Sequence, residues 1–134
     1  MIYEVPCRDC DHVYVGETGR TLKKRLAEHK QAVRRFDEKN GIAVHVYQHD
    51  HHIDWESARV VENEMFYWRR RVLEAIRIHS HPSTMNLDCG LNLSNLWRPF
   101  LTKPTRLYLS HHFLYMRNAH IFIPARSTFL SLLY

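Results

Sequence analysis

Two segments near the start of the chain, Ile2-Tyr3-Glu4-Val5 and His12-Val13-Tyr14-Val15, set β-branched or aromatic residues among polar ones. Only Pro6 and the short polar run CRDCD, residues 7–11, part them. A strand turns successive side chains to opposite faces, so two such segments so closely joined predict an antiparallel hairpin with a knuckle at its turn. Tyr3 and Tyr14 are expected at matching places on its two strands, with their phenols brought together at one end of the sheet.

The remaining elements follow from period and punctuation. Gly16 and Gly19 bracket a turn, and Thr21 is an N-cap for a helix running to about residue 36. In it Leu22, Leu26 and Val33 form the buried stripe, while Lys23, Lys24, Lys30 and Arg34 lie mostly away from it. A second helix is expected over 42–49, followed by a His-rich loop, and ESARVVE at 56–62 reads as a third strand. Residues 65–78 read as an amphipathic helix with Phe66, Trp68, Val72, Leu73 and Ile76 inward. A loop with Pro82 and Asn86 leads to LNLSNLW, where Leu91, Leu93 and Trp97 are placed back on the core. The class is therefore α+β, a small three-stranded antiparallel sheet flanked by helices. Beyond Pro99 the texture changes: there is no acidic residue and no sustained period, so 1–98 is expected as the domain and 99–134 as a divergent, poorly ordered tail.

Composition narrows the classes. A chain of 134 residues holds one modest core, and 12% aromatic with 25% charged residues excludes wholesale disorder. Three cysteines and no apolar signal segment argue against a secreted disulfide scaffold and for a reducing compartment. No apolar run is long enough for a membrane span. The net charge of +5 is less telling than its distribution, since residues 1–98 hold 15 Lys and Arg against all 14 acids. The local patch is sharper: residues 20–35 carry seven basic side chains and one acid, Glu28. Patches of this kind set where a polyanion docks.

Two constellations carry chemistry. Arg25 and His29, four apart, project from one helix face. Phosphodiester cleavage needs a group to handle the proton of the nucleophile, a cation for the charge on phosphorus, and a carboxylate to hold a metal. Tyr3 or Tyr14, Arg25 and Glu74 are of the right kinds. Each also has an ordinary reading: cross-strand packing for the tyrosines, a solvated helix face for Arg25 and His29, and an ion-pair network with Arg70, Arg71 and Arg77 for Glu74. The second constellation is Cys7-x-x-Cys10, two thiolates that a histidine pair drawn from His45, His49, His51 and His52 would complete as a tetrahedral site. Helical spacing alone favours His45 with His49.

Order and spacing together carry more than any single residue. IY at 2–3, YVG at 14–16, then Arg25 and His29, resemble the GIY-YIG endonuclease superfamily. The longer runs VPCRDCDHVYVGETGRTLKKRLAEH, HHIDWESARVVE, RRRVLEAIRI and NLDCGLNLSNLW resemble the endonuclease domain of Penelope-like retroelements over residues 1–97. Met1 stands where the signature's first glycine would be. The resemblance implies Tyr3 as general base or water-orienting group and Tyr14 as its partner in positioning water or phosphate. It implies Arg25 as transition-state stabiliser, His29 as its helper, Glu74 as ligand of a catalytic Mg²⁺ or Mn²⁺, and Asn86 as a site asparagine. It also implies a structural Zn²⁺ on Cys7, Cys10, His45 and His51, selecting the second pair that helical spacing does not, and leaves Cys89 a lone thiol near Trp97. The expected activity is a metal-dependent nick in DNA, with Lys23, Lys24, Lys30, Arg34 and Arg35 holding the flanking backbone. A reverse transcriptase domain in a longer parent and a nuclear location follow from the same resemblance. The competing expectation is an inactive, zinc-stabilised nucleic-acid-binding remnant.

Overall fold

The alternating segments do pair. In a computed structural model, which describes residues 1–88 and 90–92, β1 (Ile2–Pro6) and β2 (Val13–Glu17) form an antiparallel hairpin. Cys7 N donates to His12 O at 2.9 Å where the connection closes. β3 (Arg59–Glu62) pairs antiparallel with the free side of β1, giving the order β2-β1-β3. The helices are α1 (Leu22–Arg34), α2 (Gly41–His49) and α3 (Tyr67–Ser80). This is the α+β class read from the sequence. Contacts group Met1–Leu91 into one compact unit. The expectations for Cys89, Leu93, Trp97 and the tail lie outside the described residues.

β1 is central in the sheet, paired on both edges, and its residues on both faces are buried. Tyr3 and Val5 face a core completed by Ile42 of α2, Ile53 and Met85, with Leu22, Leu26 and Val33 of α1 packed against it. Ile2 and Glu4 face the other way, where Arg77 and His81 at the end of α3 reach the buried Glu4 carboxylate with Arg59 of β3. Against the cost of burial, His81, Arg59 and Arg77 hold that carboxyl below its usual range. Sequence and capping agree locally. Thr21 Oγ1 accepts from Lys24 N at 3.5 Å to start α1, and Asn40 Oδ1 accepts from Ile42 N and Ala43 N at 3.1 and 3.3 Å to start α2.

Four expectations change. Tyr3 lies opposite Gly16 and Tyr14 opposite Val5, so the two tyrosines are diagonal neighbours on one face, not matched partners. Gly16 is a strand residue inside β2, and the turn comes after it. β3 starts at Arg59, three residues later than expected. The largest change is in α3, whose inward stripe is Arg70, Leu73, Glu74, Ala75 and Ile78, while Phe66 and Trp68 are 65% and 68% exposed. The helix is rotated from its most apolar face because Arg70 and Glu74 both bond to Glu17 on the edge strand, and those polar bonds set the packing.

Candidate active site and metal centre

The site is built on the open end of the hairpin. Tyr3 is fully buried, and its phenol oxygen meets His29 Nε2 at 2.7 Å and accepts from Arg25 Nε at 3.1 Å. Arg25 and His29 reach one atom because they lie one helical turn apart on α1. Glu28 holds the outer end of Arg25 at 3.0 Å and is itself paired to Arg20 at 2.6 Å. The Tyr14 ring stands edge-on to His29 at 4.9 Å and lies 6.3 Å from the Tyr3 ring. Gly16 is required by the phenol and not by backbone freedom: a Cβ there would collide with the Tyr3 hydroxyl.

Glu74 enters from α3 beside the edge strand. Its Oε1 accepts from Glu17 N at 3.1 Å, while Oε2 is buried without a hydrogen bond among the described residues, its nearest cation being Arg71 Nη1 at 3.5 Å. Of the expected ion-pair network only the Arg71 pair forms: Arg70 turns to Glu17 at 2.7 Å and Arg77 to Glu4 at 3.7 Å. A buried carboxylate oxygen that accepts no hydrogen bond is a hard donor of the kind that divalent cations take, so the residues present fit such an ion. Asn86 spends both polar atoms on one residue of β2, accepting from Val15 N at 3.0 Å and donating to Val15 O at 2.7 Å. It braces the strand that carries Tyr14 and Gly16.

Electrostatics follow from burial. Burial, with Tyr14 adding and Arg25 opposing, pushes the Tyr3 phenol well above the ordinary tyrosine value, so it is protonated at neutral pH. Burial, reinforced by Arg25, lowers the His29 imidazole to about 4, which keeps it neutral. Burial also raises the Glu74 carboxyl, with Arg71 opposing and Glu17 adding.

The closed end of the hairpin gathers Cys7, Cys10, His45 and His51, whose donor atoms all lie within 4.8 Å of one another. Cys10 Sγ is 3.5 Å from His45 Nε2, Cys7 Sγ is 3.7 Å from His51 Nδ1, and the two imidazole nitrogens are 3.2 Å apart. A tetrahedral thiolate and imidazole centre with bonds of about 2.3 and 2.0 Å has S···N edges of about 3.5 Å and an N···N edge of about 3.3 Å. The four atoms therefore already outline such a centre. The left-handed backbone at Asp50 ends α2 and brings His51 back beside His45, so the partner of His45 is His51 and not its helical neighbour His49. His52 turns away to Asp9, with its Nδ1 at 3.0 Å from that carboxylate.

Lys23, Lys24, Lys30, Arg34 and Arg35 are all exposed on or just beyond α1. Lys30 lies 5.4 Å over the Trp55 ring. Among the described residues Lys23, Lys24, Arg34 and Arg35 have no ion-pair partner. The sequence reading missed Glu17, Arg70, Glu28 and Asn40. The available signals were small: Glu17 directly follows the YVG run, and Arg70 lies one turn before Glu74.

A family profile for the GIY-YIG catalytic domain matches residues 1–75, more than half of the chain, and the chain belongs to that family of nuclease domains. All four residues of the sulfur and imidazole cluster, and the Tyr3, Tyr14, Arg25, His29 and Glu74 set, lie inside the matched span. No curated protein and no solved structure matches the chain.

Proposed function

We propose that the chain is a metal-dependent DNA endonuclease that hydrolyses one phosphodiester strand and leaves a 3′-hydroxyl. The observation that carries this is the convergence of Arg25 and His29 on the Tyr3 oxygen beside a carboxylate with one buried oxygen that accepts no hydrogen bond. In the reaction a water oxygen bonds to phosphorus, the bond from phosphorus to O3′ breaks, and O3′ takes up a proton. Tyr3, protonated when the site is empty, orients the attacking water and the phosphate. Arg25 faces the charge that builds on the phosphoryl oxygens, and its planar guanidinium suits that role. Tyr14 closes the wall opposite His29, and Asn86 holds β2 in register. Mg²⁺ or Mn²⁺ on Glu74 would supply Lewis-acid polarisation of the phosphate. The exposed lysines and arginines of α1 hold the flanking backbone with little sequence preference.

The cluster of Cys7, Cys10, His45 and His51 is read as a structural Zn²⁺ site, since four protein ligands leave no open position for water. The likeness of residues 1–97 to Penelope-like endonuclease domains supports a retroelement origin, with a nick that primes a reverse transcriptase in a longer parent and acts in the nucleus. Residues 1–98 are the proposed domain and 99–134 an appended tail.

Nicking of supercoiled plasmid with Mg²⁺ or Mn²⁺ tests the reading. Arg25→Ala and Glu74→Gln should each lower the rate by about 10²- to 10³-fold while the far-ultraviolet spectrum stays unchanged. Equal nicking by all three proteins would refute it. Salt-sensitive DNA binding that survives Glu74→Gln, with no cleavage by any of the three, would instead identify a binding module that has lost catalysis.

A further inference from the structure

The hydrogens on the Tyr3, His29 and Asn40 network follow from where α2 begins. Asn40 Oδ1 is committed as an acceptor, because two backbone donors, Ile42 N and Ala43 N, point at it. Exchanging its amide oxygen and nitrogen would set the amide group against both N–H bonds, which sterics and charge forbid. Asn40 Nδ2 therefore faces His29 Nδ1, at 2.8 Å, and an amide nitrogen only donates. The His29 Nδ1 must accept, and a neutral imidazole that accepts at Nδ1 carries its hydrogen at Nε2. That hydrogen points to the Tyr3 oxygen at 2.7 Å, where Arg25 Nε also donates. With both acceptor directions of the phenol filled, its own hydrogen has nowhere within the network to go.

We propose that Asn40 is a positioning residue: by capping α2 it fixes His29 as the Nε2–H tautomer, which turns the Tyr3 O–H out of the network. The neutrality of His29 is consistent with this, because a buried imidazole beside Arg25 stays uncharged. His29 is then a donor to Tyr3 and not the acceptor of its proton. The kinetic part of this inference rests on the nuclease reading; the tautomer part does not.

Asn40→Asp separates the two. Aspartate caps a helix as well as asparagine and suits the positive end of the helix dipole, so α2 should be retained. Its second oxygen accepts where the amide donated, and that calls for an Nδ1–H on His29. The experiment is nitrogen NMR of the full, metal-loaded chain with labelled histidine, the His29 signals assigned by their loss in His29→Gln. The wild type should show the Nε2–H tautomer. Asn40→Asp should carry a hydrogen at Nδ1, with an unchanged melting temperature, a kcat lower by about 10-fold or more and KM within about 2-fold. An Nδ1–H tautomer in the wild type overturns the proposal, as does a tautomer change that leaves kcat intact. Should Asn40→Asp fail to fold, the wild-type spectrum and Asn40→Ser, which keeps a cap but removes the donor, still decide it. Absence of nicking by the wild type, with the expected tautomer in place, counts against the nuclease reading and leaves the assignment of hydrogens standing.

Discussion

The two ends of one hairpin use buried polar atoms in opposite ways. At the closed end two thiols and two imidazoles point at a common centre, and an ion there would satisfy all four at once. At the open end Tyr3, Arg25, His29 and Asn40 satisfy one another, and the atom left over is Glu74 Oε2. The first arrangement leaves no position for a reacting molecule; the second has one carboxylate oxygen to offer. α2 joins them. It begins at Asn40, in contact with His29, and carries His45 into the cluster, so the closed end holds the rod whose other tip sets the histidine of the open end.

Removing the cluster is therefore expected to have the largest effect. Structural metal sites of this kind contribute on the order of 10 kcal/mol in small zinc modules. Here the domain has its own core, and Cys7→Ser or chelation should cost several kcal/mol and abolish nicking with it. Native mass spectrometry should find one tightly held metal per chain in Arg25→Ala but none in Cys7→Ser. A chelated protein that melts where the loaded one does would show that the two ends are independent.

A smaller effect, confined to the open end, comes from Gly16→Ala. The added methyl meets the Tyr3 hydroxyl and ring with no flexible neighbour to yield. Overpacking of this kind costs about 1–3 kcal/mol and should also displace Tyr3, so that activity falls more than stability does. Gly19→Ala is the control, because its Cβ would meet only the Arg70 guanidinium, with Nη2 at 3.3 Å and Cζ at 3.7 Å. Equal losses in denaturant midpoint for the two variants would count against a phenol packed on Gly16.

These glycines show how far the sequence could be read. Both were legible as interruptions of the pattern, but which one stands under a tyrosine depends on strand register, and local spacing did not carry that. Elements set by period and caps were legible: the hairpin, the Thr21 start of α1, and α2 to within a residue. The rotation of α3 was not, since an apolar count along MFYWRRRVLEAIRI points Phe66 and Trp68 inward. The winning contacts, Arg70 and Glu74 on Glu17, join residues more than fifty positions apart. The sulfur and imidazole cluster was legible in its cysteines and, through the resemblance, in His45 with His51. Helical spacing alone favoured His49, and the left-handed turn at Asp50 is what brings His51 into place. Neither the Asn40 cap nor its contact with His29 was read from the sequence, since both depend on where α2 sits against α1.

The finest test of the open end is its response to acid. The folded-state value of His29, about 4, lies below the ordinary value of 6.5 that it regains on unfolding. Between those values the unfolded chain binds the extra proton, so stability is full above pH 6.5, declines as pH falls, and levels off below about pH 4. From pH 7 to pH 5 the His29 share of that loss is about 2 kcal/mol. Other parts of the molecule also respond to acid, so the informative quantity is a difference between proteins. Denaturant unfolding at saturating metal should show the wild type losing about 2 kcal/mol more than His29→Gln over that interval. Parallel losses would mean that His29 is hydrated or charged in the folded state. The imidazole could not then be the neutral donor to Tyr3, and the contrast between a self-satisfied open end and a metal-completed closed end would fail at its central residue.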